Sequence, residues 1–181
     1  MSNHPIKLGG VHHAAYRCKD AKQTADFYTK VLGLEYAMAV SEDRVPSTGE
    51  EHPYMHIFFR MGDGSYVAFF ELPESPGMGR DANTPQWVQH LALRVPDEAT
   101  LLRCKAKIES HGIEVLGPVD HTICKSIYFF DPNGHRLELA VDTTTPEMAQ
   151  RLSSVSESML AEWTQTKKAP HHADWVHKKS G

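Results

Sequence analysis

Three residues offer the clearest chemistry in this chain: His13, His90 and Glu138. Neutral imidazole nitrogens and a carboxylate oxygen together suit a divalent transition metal, with Fe, Mn, Zn and Ni all compatible. Each residue alone also has a plain reading, as a hydrogen-bonded histidine at a strand start or a glutamate on a solvated sheet face. What links them is position. In two places an apolar strand opening on histidine is followed by an Asp, a helical stretch and a Gly, so His13 and His90 hold matching places in an internal repeat. Glu138 lies near the end of the second copy, where it could meet the imidazoles.

The elements that must position these groups follow from local signals. In the first copy 11–18 reads as a strand, Asp20 as an N-cap, 21–32 as a helix and Gly33 as its C′ residue. In the second, 87–95 is the strand, Asp97 the cap, 98–111 the helix and Gly112 its end. Three shorter strands follow each helix, over 35–40, 55–61 and 66–72, then 113–116, 126–130 and 136–141. Gly62-Asp63-Gly64-Ser65 and Asp131-Pro132-Asn133-Gly134 separate the last two strands of each set with residues that tolerate positive φ. The expected fold is α+β, two βαβββ modules over 9–72 and 87–142 joined by a Pro- and Gly-rich connector, 73–86. A C-terminal helix and tail, 146–181, carries Met148, Leu152, Val155, Met159, Leu160 and Trp163 at helical spacing, with Pro146 at N1. The polar stretch Ser41 to Pro53 reads as a mobile loop near the site.

Strand parity sorts the ligands by face. Leu91, Leu93 and Val95 share one side, leaving His90 on the other; Leu137, Leu139 and Val141 likewise leave Glu138 opposite them. Glu71 shares its side with Val67 and Phe69. Phe58, Phe69, Tyr128 and Phe130 suit a flat apolar ligand and equally a plain core. The remaining histidines, among them His52, His56, His111, His135, His171, His172 and His177, have no paired context and read as solvated.

Composition removes several classes. A net charge of −4 and a pI near 6.3, with scattered Lys and Arg, give no field for gathering phosphates, so nucleic acid is not an expected partner. The three cysteines, Cys18, Cys104 and Cys124, make no disulfide framework or thiolate zinc site and fit a reducing cytoplasm. No export signal and no membrane-length apolar run is seen, so a membrane partner is not expected either.

Four segments together resemble the vicinal oxygen chelate superfamily: Val11-His-His-Ala-Ala-Tyr with Asp20, Ala25-Asp-Phe-Tyr with Val31-Leu-Gly-Leu, Gln89-His-Leu-Ala-Leu-Arg-Val, and Tyr128-Phe-Phe-Asp-Pro-Asn-Gly-His-Arg-Leu-Glu. This superfamily includes glyoxalase I, extradiol ring-cleaving dioxygenases and metal-free bleomycin-resistance proteins. The resemblance implies His13, Glu71, His90 and Glu138 as metal positions, and their occupancy argues against the metal-free binders. Val119-Asp-His121 with Tyr128 is similar to the extradiol motif and implies His121 as acid/base and Tyr128 as a substrate hydrogen-bonding residue. The expected activity is then an Fe(II) dioxygenase acting on a small catecholic substrate, with Mn, Zn or Ni as other metals. A glyoxalase I-like lyase or isomerase is the alternative, in which Glu71 is a fourth ligand. The resemblance also implies a homodimer.

Overall fold

A computed structural model of the chain describes residues 8–79 and 81–176; His177, one of the tail histidines, lies outside them. The chain divides into two units, one of residues 1–89 with 130–135, the other of 90–129 with 136–181.

The first unit is a four-stranded sheet of order β1-β4-β3-β2. Its strands are β1 (His13–Cys18), β2 (Glu35–Arg44), β3 (Glu51–Arg60) and β4 (Tyr66–Glu71). β1 runs parallel to β4, and the remaining pairs are antiparallel. Helix α1 (Ala21–Asp26) starts at Asp20, whose side chain accepts from Gln23 N at 2.6 Å. It continues as a π-turn over Phe27–Val31, with Leu32 N bonded to Phe27 O. The Thr29 hydroxyl donates to Ala25 O at 2.6 Å, competing for a carbonyl of the α ladder and favouring the wider turn. Tyr28 and Val31 point from this helix into the sheet, where Tyr28 stacks on Phe59 (5.1 Å) and meets Phe69 (4.7 Å).

The second unit repeats the plan with the order β5-β8-β7-β6: β5 (Leu91–Arg94), β6 (Leu116–Asp120), β7 (Cys124–Phe130) and β8 (Arg136–Asp142). Helix α2 (Glu98–Ser110) is capped by Asp97, which accepts from Thr100 N at 2.6 Å. Leu101 and Ile108 are buried, as are Ile127, Phe129, Leu137 and Leu139 of the sheet, and α2 packs against β8. Each such side chain contributes roughly 1.5–3 kcal/mol on burial. Helix α3 (Pro146–Thr166), capped by Thr145, buries none of its residues.

Three expected elements differ. The strand expected over 113–116 forms further on, as β6 at Leu116–Asp120. The stretch expected as a mobile loop is largely ladder, since β2 and β3 pair on to Glu42 with Tyr54 and Arg44 with Glu51, leaving only 45–50 as a turn. The strand expected over 87–95 begins at Leu91, because Pro85 opens a turn closed by Val88 N to Pro85 O (3.1 Å).

Candidate metal centre

In the second unit, β5 and β8 run parallel, with Ala92 opposite Glu138. Side chains alternate across a strand, so His90 before β5, Glu138 on β8 and Tyr128 on β7 emerge on the face away from α2. There they form a continuous polar chain. His90 Nε2 lies 2.9 Å from Glu138 Oε2, Tyr128 OH donates to Glu138 Oε1 at 3.3 Å, and His121 Nε2 sits 2.8 Å from Tyr128 OH. Glu138 is only 6% exposed, yet each carboxylate oxygen has a partner, which is what makes its burial tolerable. Burial, and next the charge of Glu138, push the Tyr128 phenol above its ordinary range, so it stays protonated and a donor at neutral pH. The Arg136 guanidinium covers the Tyr128 ring at 4.3 Å.

In the first unit the corresponding face carries His13 at the start of β1, beside Phe58 (5.9 Å) and His56 (6.3 Å). The neighbouring His12 ring approaches His13 Nδ1 to Nδ1 at 2.8 Å. His56, read from sequence as solvated, is instead buried between Phe70 (3.5 Å) and Phe58 (4.0 Å), with Nε2 unpartnered among the described residues. Desolvation, and then the neighbouring His13, lower its pKa to about 4. The missed signal was parity, since His56 alternates in step with Phe58.

Glu71 is not brought to His13. β1 and β4 align His13 with Tyr66 and Cys18 with Glu71, five register steps further on. Its parity with Val67 and Phe69 puts it on the helix-packing face, and its Oε2 accepts from Ala21 N at 2.6 Å at the start of α1. In the register of the second unit, Glu138 follows the partner of Leu91 by one residue; the same step in the first unit falls on Ala68. Phe69, offered as a cleft aromatic, belongs to the core against Tyr28.

Among the described residues no group of three or more His, Cys, Asp or Glu side chains is gathered in metal-holding geometry. What the second unit holds is a pair of donors, an imidazole nitrogen and a buried carboxylate oxygen already in contact and of a chemistry that fits a borderline divalent ion. No helix is long and apolar enough to cross a membrane among the described residues.

Paired βαβββ units with a polar His–Glu–Tyr face define a fold found among metal-assisted enzymes. Residues 10–139 match the model of the Glyoxalase/Bleomycin resistance protein/Dioxygenase superfamily, and the chain belongs to it. It is 36% identical over 138 residues to biphenyl-2,3-diol 1,2-dioxygenase 3 of Rhodococcus globerulus, covering 75% of this chain and 65% of that protein. It is 29% identical over 143 residues to the putative ring-cleaving dioxygenase MhqA of Bacillus subtilis, covering 76% of this chain. The chain spans 42% of the MhqA length and just under two thirds of the Rhodococcus protein. Lactoylglutathione lyase of Escherichia coli O157:H7 is 30% identical over 70% of this chain and 88% of that protein. Among solved structures, a glyoxalase/dioxygenase from Nostoc punctiforme superposes with a TM-score of 0.55 at 27% identity, over 78% of this chain and 99% of that one. The fosfomycin resistance protein FosX of Listeria monocytogenes, complexed with Mn(II) and sulfate, shares the fold with a TM-score of 0.54 at 19% identity, over 80% and 99%. The relatives are enzymes acting on small molecules.

Proposed function

We propose that this protein is an Fe(II)-dependent extradiol ring-cleaving dioxygenase acting on a small catecholic substrate. The observation that carries the reading is the continuous His121–Tyr128–Glu138–His90 chain on one sheet face. His90 and Glu138 would hold the metal, with His13 as the third ligand implied by the sequence resemblance. An ion so held would supply Lewis-acid and redox chemistry towards a diol and O₂.

The chain's own groups do the proton work. His121 would accept the proton of a diol hydroxyl and return it when the ring opens. Tyr128, kept protonated by burial, would donate a hydrogen bond to a substrate oxygen. Arg136, covering the Tyr128 ring, keeps that phenol from swinging away.

The lyase relatives favour a second reading, a glyoxalase I-like isomerising lyase. That chemistry asks for a fourth carboxylate ligand. Glu71, on the opposite sheet face from His13 and bonded to Ala21 N, counts against it.

Anaerobic reconstitution with Fe(II), followed by a panel of catechols in air, tests the proposal. We expect a coloured ring-fission product with one O₂ consumed per ring opened. His121→Gln should lower kcat on the order of 10²–10⁴-fold, the usual worth of a positioned acid/base. No product from any catechol, together with turnover of a glutathione hemithioacetal in the presence of Ni or Zn, would replace this reading by the lyase.

A further inference from the structure

One residue next to the proposed acid/base group is held in an unusual way. Thr122, which follows His121, has φ 71°, a left-handed backbone that a β-branched side chain rarely adopts. A glycine or asparagine would sit there with less strain. Positions held against their preference persist only where the surroundings over-determine them.

Here the surroundings do so on every side. Thr122 N donates to Asp120 Oδ1 at 2.7 Å, and Thr122 O accepts from the Thr143 hydroxyl at 2.8 Å. The next carbonyl, Ile123 O, takes Thr143 N at 3.0 Å and the Thr144 hydroxyl at 2.9 Å. His121 N closes the loop onto Cys124 O at 2.8 Å. The Thr122 hydroxyl donates to the carbonyl of Val176, far along the chain. A glycine could make every one of these contacts except that last one, which only the side chain provides.

The far partner is itself fixed. Helix α3 ends at Lys167, whose left-handed φ of 53° turns the chain back. His172 Nε2 then lies 2.8 Å from Glu162 Oε2, the Trp175 ring sits 4.5 Å from the Arg151 guanidinium, and Val176 is buried. The returning segment 171–176 is thus tied to α3 at two points before it meets Thr122.

We infer that Thr122 is a positioning residue for His121, and that the returning segment at 174–176 anchors it through the Thr122 hydroxyl. The imidazole then reaches Tyr128 OH from a loop that has no freedom to tilt. This inference rests on the reading of His121 as the acid/base group, but its geometry can be tested without turnover.

The test compares Thr122→Gly and Thr122→Ser with wild type. Glycine relieves the positive-φ strain, so the midpoint of thermal unfolding should stay level or rise. Yet kcat for ring opening should fall at least tenfold with KM within twofold, because substrate binding is untouched and proton transfer is not. Serine keeps the hydroxyl and should retain at least half of kcat. In metal-free protein, the ¹⁵N signals of the His121 ring should report one hydrogen-bonded tautomer in wild type and in Thr122→Ser, and an averaged ring in Thr122→Gly. Unchanged ring signals in Thr122→Gly would overturn the inference whether or not catechols are cleaved. Altered signals with no catechol turnover in wild type would uphold the positioning role and sink the dioxygenase reading alone.

Discussion

The carboxylate of Asp131 is the polar anchor of the β7–β8 turn, and removing it should cost more than any surface change in the molecule. Asp131 is buried and accepts four hydrogen bonds, divided by oxygen. Oδ1 takes the backbone N–H groups of Asn133 (2.9 Å) and His135 (2.8 Å), while Oδ2 takes Asn133 Nδ2 (2.9 Å) and the Tyr28 hydroxyl (3.2 Å). Asp131→Asn is nearly isosteric and keeps one carbonyl oxygen for the two backbone donors. Its amide nitrogen then confronts two donors, so two bonds to a charged acceptor are lost. At roughly 1.5 kcal/mol for each such bond, the expected loss is about 3 kcal/mol. Asp131→Ala loses all four, offset in part by water entering the gap, for about 5 kcal/mol. Tyr28→Phe removes one donor and should cost about 1 kcal/mol. Combined with Asp131→Asn it should cost less than the sum, since the amide no longer faces the hydroxyl. Urea unfolding at pH 7, read as midpoints at constant slope, gives these differences. If Asp131→Asn unfolds within 0.5 kcal/mol of wild type at that order of precision, the hydrogen-bond argument for this turn is refuted.

Two further outcomes follow from the site and its surroundings. Glu71→Ala should leave Fe(II) affinity within about twofold of wild type while lowering stability by about 1 kcal/mol, the worth of a helix-start carboxylate; Glu138→Ala should abolish the same metal titration, and a matching loss from Glu71→Ala would restore the four-ligand site. Burial raises the Cys18 thiol to about 11 from an ordinary value of 9.0, so its reactive thiolate is about 100-fold rarer than an exposed one below pH 9 and appears only as pH climbs towards 11. Iodoacetamide at pH 8 should spare Cys18 in the folded protein and label it in urea, as mass spectrometry of the peptide will read; rapid labelling without urea would contradict the burial.

What could be read from the sequence was what depends on local spacing. Asp20 and Asp97 cap helices where their positions implied, and Gly33 and Gly112 carry the positive φ of helix ends. The identical strand orders of the two sheets follow from the repeat. Glu71 rests on the resemblance alone, and its count from the preceding turn differs from that of Glu138. Glu138 stands four residues after Gly134, whereas Glu71 stands seven after Gly64. A difference of three is odd, and in a structure of period two an odd step turns a side chain to the other face. In the register of the second unit, the matching position of the first is Ala68. The clasp of Thr122 by Val176 was out of reach for another cause. It depends on which distant segments meet, and no local pattern carries that information.

The allocation of 130–135 to the first unit has a consequence for how the chain is made. Thr24, Tyr28 and Lys19 of that unit take their polar partners from Asn133 and Asp131, residues that leave the ribosome more than a hundred positions later. The first half of the repeat therefore cannot finish folding when its own last strand has been synthesised. It waits, with a buried tyrosine hydroxyl unmatched, for a loan from its sequel. Cut at its own last strand, the first copy would lose the polar partners of Lys19, Thr24 and Tyr28.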